Sequence, residues 1–584
     1  MTNERIWRLL PLSPQASQLA LETGISPLKA QLLLNRGVSD CNSAASFLSP
    51  KLSDLIDPML LKDMDHAVDL IMETIGNREQ IAVFGDYDAD GITSTALLLN
   101  FFSELGVSLS CYIPNRLDEG YSLNPGAVKK LAERGIQLII TVDCGISNRK
   151  EIEMAKNLGM KVVVTDHHQI PEDFDPICPV INPNRHDSLF PFKALAGVGV
   201  TFFLIIALRS CLRDRRWFTD SRPEPDLKKY LDIVALGTVA DMVPLIDQNR
   251  ILVRSGIEVM KNSIWPGIKA IKEISGIGAH RISSYDLAFK LVPRLNAPGR
   301  LGDSTTGLTT LTTTSESVAM ESAGRLNSMN VHRQRIEEDI LKEIEESIIR
   351  KSDLKDRRTI VLAKEGWHQG VLGVVASRLL DRYYRPTLVL TIREGMATGS
   401  GRSIDGFNLH RSMTRLNHLF EKFGGHYHAA GCTLKASNIE ALAEGLEKIA
   451  REELKEEDLV PAIDIDAEIS LPELTFDTVS DLRSMEPFGS GNPEPLFYCG
   501  GLEVVNSRIV GERHLKLRVR QGETVMEAIG FGLSDIHPLE GRTVNMVFTP
   551  EINEWNGYKT IQLRINALEF SGHTSKLIRL KAAS

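Results

Sequence analysis

At 584 residues the chain is too long for one hydrophobic core and predicts three or four domains. Its 42% hydrophobic and 24% charged residues are those of a soluble globular protein, and a run of about 18 apolar residues, which a membrane span requires, is absent. The net charge of −9 argues against nucleic-acid binding through the whole surface but leaves room for a local basic groove. The N-terminus MTNERIWRLL lacks a signal peptide's basic and apolar regions, and the seven scattered cysteines form neither a disulfide framework nor a zinc-ligand pattern. A cytoplasmic protein without membrane contact is expected.

Residues 1–75 read as a helical lead-in, punctuated by Pro11, Pro14, Pro27, Pro50 and Pro58, with no visible chemistry. Residues 81–84 (IAVF) then read as a short buried strand, Gly85 opens a turn carrying Asp86, Asp88 and Asp90, and residues 92–99 read as a helix. Three carboxylates on one strand-to-helix turn repel one another unless protonated or bound to cations, so a divalent metal is the natural partner. A solvated acidic loop is the alternative. A calcium loop fits less well, because its twelfth position, counted from Asp86, is Leu97 rather than an acid, and a strand precedes it.

The same pattern repeats downstream. Residues 136–142 form a strand ending at Asp143, residues 161–165 a strand ending at Asp166-His167-His168, and Val180-Ile181 a short strand before Asn182-Pro183-Asn184. Helical segments at 125–134 and 149–158 lie between them, which predicts a parallel, doubly wound α/β sheet. Parallel strands bring their carboxyl ends to one edge, so these ligand types converge although tens of residues separate them. A helix at 230–239 leads into Asp241 and Pro244, and Asp241 would complete the cluster. Each acid alone is as good a helix cap as a ligand; the ordered set carries the inference.

Asp86-Tyr87-Asp88-Ala89-Asp90-Gly91, Thr141-Val142-Asp143-Cys144-Gly145, Asp166-His167-His168 and Gly237-Thr238-Val239-Ala240-Asp241 resemble the four ordered motifs of the DHH phosphoesterase superfamily. Ile113-Pro114-Asn115-Arg116, Leu195 to Val200 (LAGVGV) and Arg294 to Arg300 (RLNAPGR) are similar to its bacterial single-strand-specific exonucleases, with Pro298 as one small departure. The resemblance runs over nearly the whole chain.

Beyond a threonine-rich stretch near 304–314, Ile336, Ile340, Ile344 and Ile348 recur every four residues in a helix expected from about 326 to Arg350. Periodicity alone allows a bundle helix or a spacer between lobes; the resemblance favours the spacer. The next lobe contains Thr398 to Ser403 (TGSGRS) and Phe423 to Gly431 (FGGHYHAAG), read as glycine loops that let backbone amides and a guanidinium approach an anion, or as plain turns. The resemblance makes this the DHH-associated domain, assigns Ser400 and Arg402, with Arg116 and Arg300 across the cleft, to a terminal phosphate, and puts Gly425 and His426 beside the substrate. From about 460, five short strands (501–510, 514–520, 524–530, 542–549 and 558–567), with a turn at Trp555-Asn556-Gly557, suggest an oligonucleotide-binding barrel. Lys516, Arg518 and Arg520 alternate along one strand and would offer a basic face to a phosphate backbone, or a merely solvated one. The expected division is 1–75 lead-in, 76–320 catalytic domain, 321–355 connecting helix, 356–457 DHH-associated domain and 458–575 barrel.

Carboxylates plus histidine on one rim suit two divalent ions, Mn2+ or Mg2+, and in-line hydrolysis at phosphorus. Asp143 is expected to bridge, Asp88 and Asp90 to divide between the ions, His167 and Asp241 to complete one of them, and Asp86 to be a further ligand. In an extended strand His167 and His168 would face opposite ways; His168 is assigned to the scissile phosphate and Asp166 to orienting a histidine. The resemblance implies 5′ to 3′ exonuclease action on single-stranded DNA in repair and recombination, releasing mononucleotides. It also implies single-strand-binding protein and a RecQ-type helicase as partners of a monomer. A small-substrate phosphoesterase and a silent single-strand-binding scaffold are the alternatives.

Overall fold

The computed structural model describes residues 5–278, 282–303, 305–348, 356–555, 557–570 and 577–580. It divides into two compact units, Met1–Lys51, Leu245–Arg250 and Val460–Ser584 in one, and Leu52–Pro244 with Ile251–Leu459 in the other. No helix among the described residues is long and apolar enough to cross a membrane.

The chain opens with β1 (Ile6–Leu9) and the helices Ala16–Thr23, Pro27–Asn35 and Cys41–Leu48. A sheet of five parallel strands follows: β2 (Ile81–Gly85), β3 (Leu109–Tyr112), β4 (Leu138–Val142), β5 (Lys161–Thr165) and β6 (Val180–Ile181), in the order β3-β2-β4-β5-β6. Every residue of β2 and β4 is buried, as central parallel strands covered on both faces require. Phe84, Ile139, Val162 and Val164 pack with Ala127, Val128, Leu131 and Ile152 of the helices Pro125–Glu133 and Arg149–Asn157. Strand β3 escapes the hydrophobic pattern because it is a half-exposed edge with the sequence LSCY.

The long helix spans Glu316–Glu343 and so begins before the isoleucine repeat; Ser315 caps it, and its early buried face is built from Ala319, Ala323 and Leu326. The first half packs in a bundle with Pro266–Ile274, Val292–Arg300 and Thr306–Thr312, while Ile340 and Ile344 join the core of the next lobe with Trp367, Leu372 and Val375. It is thus a bundle helix at one end and a connector at the other. Its expected end at Arg350 lies outside the described residues, as does Asn556.

In the second lobe β7 (Ile360–Glu365), β8 (Thr387–Arg393), β9 (Met396–Arg402), β10 (Phe420–Gly425) and β11 (Ala429–Lys435) form a sheet of order β10-β11-β9-β8-β7, parallel only between β7 and β8. This corrects the glycine-loop expectation: Thr398-Gly399-Ser400-Gly401-Arg402 is the C-terminal part of strand β9 and Phe423–Gly431 is a hairpin, so these amides sit in or beside the sheet ladder. Glycine serves close packing there, since a Cβ on Gly399 would lie 2.0 Å from the Val389 carbonyl.

Near the C-terminus β12 (Ala462–Ile465) and β19 (Leu577–Arg579) flank β1, each parallel to it. Between them β13 (Ala467–Glu468) joins β14 (Phe497–Val510), and β14, β15 (His514–Gln521), β16 (Thr524–Gly530), β17 (Thr543–Trp555) and β18 (Tyr558–Phe570) close a barrel in the order β14-β15-β16-β18-β17-β14. The helical lead-in is therefore divided: Leu32, Leu33, Ala44 and Phe47 share a core with Met485, Phe497 and Phe548 of the barrel unit. Arg250 is buried in the same unit, stacked 3.8 Å over the Phe47 ring and donating to the carbonyls of Phe47 (2.7 Å), Met485 (3.0 Å) and Glu486 (2.9 Å). Replacing it by alanine orphans those acceptors, so Arg250→Ala is expected to cost about 3 kcal/mol, measured as an earlier urea transition.

Candidate metal centre and anion cleft

Four elements deliver carboxylates to the carboxyl edge of the parallel sheet: β2, β4 and β5, and the helix Leu231–Ala240. After β2, Asp88 caps the helix Ala89–Glu104, its Oδ1 accepting from the amides of Asp90 (3.0 Å) and Gly91 (3.1 Å). The helix begins three residues earlier than its apolar run suggests, so Asp90 lies in its first turn, where the helix dipole favours negative charge. Asp90 is further held by the amides of Gly197 (2.6 Å) and Val198 (2.8 Å) at the start of the helix Gly197–Asp214. After β4, Asp143 adopts a left-handed backbone at φ 59°, a conformation that aspartate tolerates better than most residues, and its amide bonds the Thr165 carbonyl at 3.0 Å. Asp241 sits at the C-terminal end of Leu231–Ala240, where the dipole disfavours an acid.

Beyond β5, Asp166 is fully buried and folds the chain around itself: its Oδ1 accepts from the amides of His167 (2.7 Å) and His168 (3.1 Å) and from His168 Nδ1 (2.7 Å), while Oδ2 accepts from the Ile146 amide (2.9 Å). The two histidines therefore do not point to opposite sides, as an extended strand would dictate; their rings lie 4.5 Å apart, tilted by 50°. His167 Nε2 faces Asp143 Oδ1 at 3.1 Å and Nδ1 faces Asp241 Oδ2 at 3.5 Å. His168 rests against Tyr121, whose hydroxyl donates to the Asp143 carbonyl at 3.2 Å.

The ligand atoms gather in three groups, Asp86/Asp88/Asp143, Asp90/His167/Asp241 and Asp143/His167/His168, each within 4.8 Å internally. Asp143 and His167 each belong to two of them, as neighbouring cation positions sharing a carboxylate would require. Asp86 is as central as Asp88. The residues fit a divalent cation on two grounds. Asp86 Oδ1, His167 Nε2 and Asp241 Oδ2 are buried without a hydrogen-bond partner. Burial and mutual repulsion also push every one of Asp86, Asp90 and Asp143 far above the ordinary carboxylate range. Asp241 is pushed up to about 7, by burial and then Asp88. His167 is pulled down to about 4 by burial and by His168, which leaves it neutral, as a metal ligand must be. For His168 burial acts downward, but the Asp166 bond and charge lift it to about 9, so it carries a proton; Asp166 stays below its usual range because His168 outweighs the burial.

A cavity of about 290 Å³ opens beside this cluster, lined by Asp86, Asp88, Arg116, Tyr121, Asn296 and Arg300 among others. Arg116 lies 5.1 Å over the Tyr87 ring. Arg300 reaches the second lobe, donating to the Gly370 carbonyl at 3.4 Å, and Arg402 Nη1 binds Ser400 Oγ at 3.0 Å. Burial and then Arg116 lower the pKa of Arg402, so these two cations from different lobes are electrostatic neighbours. Gly425 and His426 lie at the β10–β11 hairpin, where Ala429 accepts from the His426 amide (2.8 Å) and pairs with Arg402; they border the arginine rather than line the cavity. On the barrel, Lys516 pairs with Glu527 (2.8 Å) and Arg520 with Glu503 (2.7 Å), so the basic face is partly neutralised, and Arg518 stands exposed between them.

Sequence reasoning missed the residues that hold this set in place. Asn296 Oδ1 caps the Ala89 amide at 2.8 Å; Asn182 and Asn184 clamp the carbonyls of His168 (2.9 Å) and His167 (2.6 Å). The Asn-Pro-Asn run after β6 was the available signal. Gly197 lets two helices meet the cluster, since a Cβ there would lie 2.8 Å from Asp143 and 2.9 Å from Asp90.

A sheet of this topology with an Asp/His edge defines the DHH class of phosphoesterases. Family models match the DHH family N-terminal domain over residues 80–238, the DHHA1 domain over 356–452 and the RecJ OB domain over 465–567. The chain is 38% identical to the single-stranded-DNA-specific exonuclease RecJ of Salmonella typhimurium, with 94% of this chain and 96% of the relative covered. It is 37% identical to that of Escherichia coli, again over 94% and 96%. The crystal structure of RecJ in complex with Mn2+ from Thermus thermophilus superposes with a TM-score of 0.82 at 30% identity, covering 97% of this chain and 79% of the other. Its Mg2+ counterpart gives 0.76 at 29% identity, covering 96% and 78%. The chain belongs to the RecJ family.

Both Asp241 and His168 hold protons more tightly folded than unfolded, where their values are about 3.9 and 6.5. Their stability contributions are present below the unfolded values and are lost as pH rises through about 7 and about 9. The thermal midpoint of chelator-treated protein is expected to fall between about pH 6.5 and 9, above the range in which His167, pulled down to about 4, acts in the opposite sense, and added Mn2+ is expected to raise it most at the upper end.

Proposed function

We propose that the chain is a single-stranded-DNA exonuclease that hydrolyses phosphodiester bonds from the 5′ end and releases 5′-mononucleotides in DNA repair and recombination. The observation that carries this reading is the placement of a shared carboxylate–histidine site beside a cleft whose far side is cationic. Asp86, Asp88 and Asp143 would hold one Mn2+ or Mg2+, Asp90, His167 and Asp241 a second, with Asp143 between them. Such ions supply an activated water and charge neutralisation at the scissile phosphate.

The chain's own residues do the rest. His168, kept charged by Asp166, donates to a phosphate oxygen; His167 stays neutral. Arg116, Arg300, Ser400 and Arg402 receive the terminal phosphate, with Gly425 and His426 beside the strand, and guanidiniums suit that ligand because they bind it bidentately. Anchoring the end at a set distance from the acidic edge would make the product one nucleotide long, while the 5′ to 3′ direction is taken from the family resemblance. The barrel, through Arg518 with Lys516 and Arg520, would hold the strand farther along. The division into 76–320, 321–355, 356–457 and 458–575 follows this allocation of tasks. Single-strand-binding protein and a RecQ-type helicase are the partners that would present such a strand to a monomer.

Single-stranded DNA labelled at the 5′ or 3′ end separates the readings. Mononucleotide label from the 5′ end alone, reduced about a thousand-fold or more in Asp143→Ala, is expected. Cleavage of only two- to five-nucleotide substrates would contradict it. Arg518→Ala is expected to weaken binding of long strands several-fold while leaving cleavage of short ones intact; equal loss on both would remove the barrel from the reading.

A further inference from the structure

The helix Glu316–Glu343 carries an ion-pair set that the metal centre does not use. Glu337 is fully buried; its Oε1 accepts from Arg333 Nη1 at 2.6 Å, and Arg333 Nη2 donates to Asn330 Oδ1 at 2.8 Å. From the second lobe, Arg378 Nη2 of the helix Leu372–Tyr383 stands 3.6 Å from Glu337 Oε2, which has no hydrogen bond of its own. One buried carboxylate thus faces guanidiniums from two lobes. A buried acid is ordinarily costly, and a packed apolar side chain would serve stability as well, so the charge calls for another reason.

That reason lies next to it. Among the described residues Arg300 makes one side-chain hydrogen bond, at 3.4 Å to the Gly370 carbonyl, and a Cβ on Gly370 would meet the Arg300 carbonyl at 2.0 Å, so the two lobes are in contact at this arginine. Burial and the guanidiniums of Arg116 and Arg333 pull Arg300 down to about 10, Arg402 adds to this, and Glu337 opposes it. On Glu337 itself burial acts upward while Arg333, Arg378 and Arg300 act downward. Arg116, Arg333 and Arg402 thus all act on Arg300, and Glu337, paired with Arg333 at 2.6 Å, is the anion that opposes them.

We infer that Glu337 is a positioning residue for the terminal-phosphate pocket: it ties Arg333 back to its own helix and lets Arg300 stay in the cleft opposite Arg116 and Arg402 before an anion arrives. The inference rests on the terminal-phosphate reading above. Without the carboxylate, Arg333 is released toward Arg300, and the pocket must be assembled during binding, which weakens capture of the phosphorylated end. The hydrolytic step, which takes place at the aspartates, is left as it was.

The test compares KM and kcat on matched single strands bearing a 5′-phosphate or a 5′-hydroxyl, for wild type, Glu337→Gln and Glu337→Asp, in Mn2+. Wild type is expected to prefer the phosphorylated end. Glu337→Gln is expected to raise KM on that strand by about ten-fold, with kcat within about two-fold and the end preference reduced accordingly; Glu337→Asp restores part of the preference. Arg378→Gln, at a more exposed site, gives a smaller change of the same sign and serves if Glu337→Gln does not fold. An unaltered end preference in the variants overturns the inference, and so does an equal fall of kcat on both strands, which marks a structural role. A wild type indifferent to the 5′-phosphate removes the pocket itself, an outcome visible before any variant is made.

Discussion

Electrostatic repulsion among buried carboxylates is the constraint on which the arrangement of the catalytic unit depends. Asp86, Asp90 and Asp143 are each at most 3% exposed, and Asp88 and Asp241 stand beside them. Such a group is costly without protons or cations, since burial penalises each charge and the neighbours penalise it again. The chain meets part of that cost with backbone dipoles. Asp88 and Asp90 occupy the start of one helix, and Asp90 also receives two amides from the start of another. What the backbone leaves unmet falls in two groups of ligand atoms: an orphaned oxygen of Asp86 in one, and an orphaned oxygen of Asp241 with a nitrogen of His167 in the other.

The opposite problem is solved a short distance away. Arg300 feels the charges of Arg116, Arg333 and Arg402, and Arg300 and Arg402 are both lowered by burial and by like charge. A site of concentrated negative charge thus adjoins one of concentrated positive charge, each incomplete without a ligand of the other sign. A strand end with its phosphates complements the second, and divalent cations complement the first. The helix Glu316–Glu343 joins the two sides of the positive site, being packed at one end into the bundle that presents Arg300 and at the other into the lobe that presents Arg402.

The acidic edge was legible because period and chemistry coincide: buried runs end in Asp, Asp and Asp-His-His, and parallel topology brings such ends together. Strands β5, β6 and β16 match their expected bounds, since each is a compact apolar or alternating run between clear turns. The edge strand β3 was not legible, for want of an apolar pattern, nor was the early start of the long helix, whose inner face is made of alanine. Glycine misled in the second lobe: beside serine and arginine it reads as a turn, whereas here it lets strands and helices approach closely. The histidine pair shows the limit of local periodicity, because a single buried side chain, Asp166, overrides the strand geometry and turns both rings to one side. Support from Asn182, Asn184 and Asn296 acts between distant segments and leaves no periodic trace.

Two cation positions that share Asp143, as proposed, should be countable by equilibrium dialysis of Mn2+ against chelator-stripped protein, wild type and Asp143→Asn side by side. About two tightly held ions per chain are expected in the wild type and at most one in the variant. A single ion in the wild type, or two ions held equally well by Asp143→Asn, would contradict that sharing.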